Sequence, residues 1–199
     1  MPTQTLPIPH HDPAMATDVL IVGGGPVGLS FASALAQAGL RATVLELQSA
    51  EQLADPAPDG REIALTHPSV GLLQRLGSWQ RLAAHEIGLL RRAEVHDGPL
   101  GQRGTLQLHA GGTGVEHLGW IVPNHALRRT AFEIAATEPG VQIITQARVL
   151  NVRTLPTHAE VEFQDASAPD LPPQRLCAPL VVAADSRFSN TRRQLGMGA

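Results

Sequence analysis

Apolar and polar positions alternate along this chain in spacings that mark out a succession of elements. Asp18 to Val22 is a short apolar run that leads directly into Gly23. From Pro26 to Ala38 small and apolar residues recur at helical spacing, and Gly39 closes the run as a C-cap. Ala42 to Leu47 is strand-like again. Strand, glycine turn, helix and strand in that order predict a βαβ unit opening a parallel sheet.

Further on, Gln48 to Gly60 is acidic and proline-rich and reads as a surface loop. Ser69 to Ala84 reads as a helix, with Val70, Leu73, Leu76 and Leu82 on or near one face. Leu90 to Val122 holds short strands around Ala93–His96, Gly104–His109 and Leu118–Val122. The GGTG at Gly111–Gly114 has no following lysine or helix, which makes it a hairpin turn rather than a phosphate loop. Asn124 to Thr137 predicts a second long helix and Val141 to Ile144 a strand. Arg148–Arg153 and Ala159–Phe163 look like antiparallel meander strands, and Ala166–Pro173 is a loop. Leu180–Ala184 reads as a buried strand and Phe188–Leu195 as the start of a helix. The class is α/β, with a central parallel sheet and an antiparallel meander.

At 199 residues the chain can bury one good-sized core and part of a second. A net charge of -3 argues against nucleic acid as a partner. All fifteen basic residues are arginine, and only the C-terminal ones cluster. Cys177 is the single cysteine, so no intrachain disulfide and no cysteine-based zinc site is expected, in keeping with a reducing cytoplasm. Residues 1–17 are proline-rich and polar, without the basic and apolar regions of a secretory signal, and predict a disordered tail. His10 and His11 lie in that tail as solvated residues, and no metal site is expected.

The strongest chemistry sits in VLIVGGGPVGLSFASALAQAGLRATVLE, where Gly23, Gly25 and Gly28 fit G-x-G-x-x-G. Gly23 allows the tight turn out of the strand, Gly25 lets backbone approach a pyrophosphate, and Gly28 lets helix pack on sheet. Pro26 suits the first helical turn, and the helix start is positive enough to attract phosphate. Glu46 ends the second strand, where a carboxylate can accept bonds from ribose hydroxyls. No arginine follows Glu46, so a 2′-phosphate is poorly served, while FAD and NAD both fit.

Three further stretches carry a resemblance: DGREIALTHPSVGLLQRLGSW from Asp59, LGWIVPNHALRRTAF from Leu118, and VVAADSRFSNTRRQLG from Val181. With the glycine motif before them, they resemble the N-terminal half of class A flavoprotein monooxygenases. More closely they resemble the ubiquinone-biosynthesis hydroxylases of the UbiH/UbiF/UbiM group, and Ser186 in place of the family glycine points to the UbiM-like branch. The resemblance implies a Rossmann-like FAD-binding domain over residues 18–199, with 90–122 contributing strands toward an incomplete substrate-domain sheet. It implies that Gly23, Gly25, Pro26 and Gly28 hold the FAD pyrophosphate and Glu46 the adenosine ribose. Arg61 matches a family arginine beside flavin and pyrophosphate, and Arg128 a helix position used for flavin contact. Ala184, Asp185, Ser189 and Arg192 match the motif A-D-G-x-x-S-x-x-R, which implies that Asp185 and Arg192 serve the pyrophosphate region, with Arg192 as fork for the acid or a phosphate.

The implied activity is hydroxylation of an aromatic ring with NAD(P)H and O2, on a polyprenylated phenol or benzoquinol of ubiquinone synthesis. The cofactor carries that chemistry, so no catalytic side chain is singled out. Such a lipid implies peripheral contact with the inner membrane or a multi-enzyme assembly, from the cytoplasmic side. The family's members are longer, so the chain reads as the cofactor half of an enzyme, inactive or weakly active alone. A non-catalytic FAD-binding fragment and an NAD-dependent dehydrogenase are the competing expectations. A disulfide reductase is excluded by the single cysteine.

Overall fold

The computed structural model describes residues 17–96, 98, 105–111 and 114–198. Of the predicted tail, residues 1–16 lie outside the described residues, as do Gly104 and the middle of the GGTG stretch. Thr17 is already part of the fold: it is buried and its Oγ1 donates to the Arg41 carbonyl.

In chain order the elements are β1 (Val19–Val22), α1 (Pro26–Gln37), β2 (Ala42–Leu45), α2 (Ala50–Ala54), β3 (Glu62–Leu65) and α3 (His67–Leu76). Two short 3-10 turns, Trp79–Arg81 and Ala84–Glu86, follow. Then come β4 (Gly88–Leu90), β5 (Arg92–His96), β6 (Thr105–His109), β7 (Gly119–Pro123), α4 (Asn124–Ala135) and β8 (Val141–Ile144). The series closes with β9 (Ala147–Thr154), β10 (Ala159–Asp165), β11 (Gln174–Ala178), β12 (Leu180–Ala183) and α5 (Asn190–Gln194). They fall into two compact units, residues 1–55 with 131–199, and residues 56–130.

The first unit is built on a parallel sheet in the order β12-β1-β2-β8. Strand alternation sends successive residues of β1 to opposite faces. Val19 and Ile21 pack with Leu29 and Ala32 of α1 and with Ala131 and Ala135 of α4. Leu20, between them, packs on the other face with Val152, Val161, Phe163 and Ala178 of the antiparallel meander β11-β10-β9. Leu20 and Ile21 are wholly buried, and each contributes roughly 2 kcal/mol of apolar burial. The sheet is therefore covered by helices on one face and by the meander on the other, the α/β arrangement expected from the pattern.

The second unit holds the antiparallel sheet β3-β7-β4 and the hairpin β5-β6. Its core gathers Leu82, Val122, Ala126 and Leu127 with Leu73, Trp79 and Ile87. The helix expected over 69–84 is shorter, because Gly77 adopts a left-handed conformation (φ 88°) and caps α3. Leu82 still reaches the core, carried there by the following 3-10 turns. The loop expected over 48–60 contains α2, started by a reciprocal cap between Ser49 and Gln52. β3, β4 and β11 were not anticipated, being short strands whose pairing comes from distant neighbours.

Candidate functional site

β1, β2 and β12 lie in parallel, and chain order reverses at β1, which has β2 on one side and β12 on the other. Crevices at such switch points, outside the carboxyl ends of strands, are where α/β sheets bind ligands. A cleft of ≈ 420 Å³ opens there, lined by Gly23, Gly25, Glu46, Asp185 and Ser186 among others.

The turn from β1 into α1 is defined by contact. Gly23 has φ +109°, and a Cβ on it would stand 2.5 Å from the Ala184 carbonyl oxygen. Gly28 lies in the first turn of α1, against the Gly23 carbonyl. Gly25 differs: nothing lies within 4 Å of where its Cβ would be, so its backbone is open to an approaching group. Gly25 is also the N-cap of α1, Pro26 follows it, no side chain caps the helix, and no acid sits in the first turn. The positive end of α1 is thus left to a ligand of negative charge.

Glu46 faces that turn. Its Oε2 accepts from the Gly24 N–H at 2.5 Å, and its Oε1 accepts from the Gln48 N–H at 2.8 Å. Two backbone donors therefore orient the carboxylate while it lines the cleft. Gly24, a freely variable position of the motif, is restricted here by Glu46, whose Cβ would lie 2.9 Å from an added side chain.

Asp185 follows β12. Its Oδ2 accepts from the Thr191 N–H and from Thr191 Oγ1, both at 3.0 Å. Its Oδ1 is buried without a hydrogen-bond partner among the described residues. Burial pushes its pKa up, but the bonds from Ser189 and Thr191 outweigh it and hold the group below its ordinary value. Ser186, beside it, adopts φ 79°, the left-handed region that favours glycine.

Arg192 does not pair with Asp185 as the motif suggested. Its Nη1 donates to the Met197 carbonyl at 3.1 Å, and its N–H caps back to Ser189 Oγ at 2.9 Å. The start of α5 satisfies one oxygen of the acid, while the Arg192 guanidinium turns to the chain's own Met197 carbonyl. The cleft wall carries Asn190 and Arg148 instead, two residues that sequence reasoning missed. Arg148 arrives from β9, whose Ala147 N–H bonds the Glu46 carbonyl at 2.8 Å, a long-range pairing that no local spacing reveals.

Arg61 and Arg128 belong to the second unit. The Arg61 side chain is 67% exposed, and its Nε and Nη2 donate to Asp59 Oδ2 at 2.8 and 2.6 Å. Asn124 Nδ2 donates to the same oxygen at 2.7 Å. The Arg61 and Asn124 bonds hold the Asp59 carboxyl far below the usual carboxylate range. Arg128 is half-buried on α4. His67 stacks on His117, with ring centroids 4.9 Å apart, and its Nε2 bonds the His117 carbonyl at 2.9 Å.

A family model described as "FAD binding domain" matches residues 16–199. The chain belongs to that family. FAD is the cofactor that goes with the FAD-binding domain, and the open glycine turn, the uncapped helix start and the backbone-oriented acid fit it. The chain is 41% identical over 192 residues to the ubiquinone hydroxylase UbiM of Neisseria meningitidis, covering 94% of this chain and 39% of that protein. It is 29% identical over 183 residues to the 3-demethoxyubiquinol 3-hydroxylase of Escherichia coli, covering 92% and 44%. It also shares its fold with p-nitrophenol 4-monooxygenase PnpA from Pseudomonas putida, at TM-score 0.66 and 22% identity over 90% of this chain and 43% of that one. This FAD-binding chain therefore spans about two fifths of the length of these relatives. Among the described residues no helix is long and apolar enough to cross a membrane.

Proposed function

We propose that this chain holds the adenosine-diphosphate part of FAD in the cleft at the ends of β1, β2 and β12. The carrying observation is the convergence there of an open Gly25 backbone, the uncapped start of α1 and an oriented Glu46. Gly23, Gly25 and Gly28 let the pyrophosphate approach, and Pro26 starts the helix without a competing N–H. Glu46 accepts from the ribose hydroxyls with the lone pairs its backbone donors leave over. Asp185 lines the wall with a buried Oδ1 that no described residue bonds, and Arg148 adds a positive side chain. From the resemblance, Arg61, Arg128 and Arg192 are also proposed as FAD contacts, a role for which Arg61 would have to release Asp59. Arg192 would have to leave the Met197 carbonyl to do the same.

When bound, FAD supplies electron transfer and oxygen chemistry that no side chain of this protein provides. The likeness to UbiM and to the 3-demethoxyubiquinol hydroxylase supports a ring hydroxylation that uses NAD(P)H and O2. It supports a polyprenylated phenol or benzoquinol of ubiquinone synthesis as substrate. A substrate of that kind supports peripheral contact with the cytoplasmic face of the inner membrane and the company of other enzymes of the same synthesis.

The test is the absorbance of the purified protein. Flavin bands that leave with released FAD support the reading, and a colourless protein that binds NAD tightly overturns it. Hydroxylation of a polyprenyl phenol dependent on NAD(P)H tests the activity.

A further inference from the structure

The antiparallel meander carries a cluster of donor side chains that no cofactor contact uses. His158 directly precedes β10, Glu160 is two residues on, and strand register sets Glu160 opposite Cys177 of β11. Residues two apart on a strand share a face, as do residues paired across strands. The three side chains are half-buried, and one donor atom from each lies within 4.8 Å of the other two. His158 Nε2 and Glu160 Oε1 are 3.7 Å apart.

We propose that His158, Glu160 and Cys177 form a binding site for a borderline transition-metal dication such as Zn²⁺, with water as fourth ligand. A donor set of imidazole, carboxylate and thiolate suits Zn²⁺ and Co²⁺, not the all-oxygen cages of Mg²⁺ or Ca²⁺. Tetrahedral bonds to nitrogen, oxygen and sulfur put donor atoms about 3.2–3.8 Å apart. The His158–Glu160 spacing already meets that, and Cys177 needs to close by about an ångström at most. Thr157 Oγ1 lies 3.0 Å from His158 Nδ1. With Nδ1 as the donor in that bond, the lone pair is on Nε2, the outer-shell arrangement that orients metal-bound histidines. On binding, the Cys177 thiol releases its proton to solvent and the sulfur–metal bond forms. Arg153 lies opposite Glu160 on β9, and both line one shallow pocket, so a positive charge stands on the side of the carboxylate away from Cys177.

The metal would clip the β9–β10 turn to β11. Sequence spacing hides this site, because its ligands come together only when β10 and β11 pair.

Titration of the full chain with Co²⁺, read as difference spectra, tests the site. Cys177 is the only cysteine, so a thiolate-to-cobalt charge-transfer band reports this place alone. The expected result is such a band, saturating at a single Co²⁺ and displaced by Zn²⁺. H158A and E160Q should weaken Co²⁺ binding by about ten-fold or more, T157V by about ten-fold, and R153Q should tighten it. E160Q and T157V change half-exposed or exposed positions conservatively, so they report binding even if H158A perturbs the fold. Absence of the band overturns the proposal. So does a band whose affinity is unchanged in both E160Q and T157V, since the thiol would then be binding by itself.

Discussion

Gly28 lies directly against Gly23: a Cβ on Gly28 would stand 2.0 Å from the Gly23 carbonyl oxygen. The same added atom would sit 3.3 Å from the Ala184 side chain. Backbone, not a flexible side-chain end, is the obstacle, so α1 must shift to accept any substitution. Gly28→Ala is expected to cost about 3 kcal/mol in chemical denaturation and to lower flavin content, because the helix start moves with the helix. An unchanged denaturation midpoint would show that α1 moves at no cost.

Ser186 carries the opposite lesson. Its φ of 79° costs a non-glycine residue roughly 1–2 kcal/mol, of which glycine would return part to chain entropy. Ser186→Gly should raise stability by about 1 kcal/mol, seen as a higher melting temperature, with FAD affinity retained. A loss of stability would mean that the serine hydroxyl makes up for the backbone conformation.

Glu46→Ala removes the acceptor of the Gly24 and Gln48 N–H groups as well as the proposed ribose contact. Charge-assisted bonds of this kind are worth about 1.5–3 kcal/mol, so FAD affinity should fall about ten-fold or more. Glu46→Gln keeps one acceptor oxygen and should lie between the two. Flavin fluorescence titration reads both, and equal affinity in all three proteins would remove Glu46 from the site.

Asp185 sets a pH dependence. Its folded pKa is depressed, so its contribution to stability is present above the unfolded value, about 3.9, and is lost as pH falls through the lower folded one. Thr191→Val deletes the hydroxyl donor at 3.0 Å and should move the Asp185 titration, followed by carbon NMR, toward higher pH. The acid limb of the stability curve should move with it. No movement of either would mean that the Thr191 N–H and Ser189 suffice.

Much of the cofactor half was legible in the residues. The glycine turn, Pro26, the small-residue helix and Glu46 lie within one βαβ unit, where sequence neighbours are also spatial neighbours. Arg61, Arg128, Asp185 and Arg192 were assigned through resemblance. Of these, Asp185 stands in the cleft wall, while the Arg192 guanidinium bonds the Met197 carbonyl. Arg148 was not legible, since it belongs to no local pattern and reaches the wall on a strand distant in sequence, and Asn190 holds a variable position of the Asp185 motif, where spacing assigns no role.

The sequence by itself determined the elements whose hydrogen bonds and apolar faces are short-range: β1, α1, β2, the signature turn between β1 and α1, and the hairpin strands β9 and β10. Tertiary structure alone decided that β12 lies beside β1 and β9 behind Glu46, and so what lines the cleft. It also decided that the Asp185 carboxylate is satisfied by the start of α5, and that His158, Glu160 and Cys177 meet. The reason is that pairing between remote strands is selected by burial of whole faces, as when Leu20 and Ile21 take opposite sides of one sheet. Side chains carried on those strands meet as a consequence, and no spacing along the chain records it.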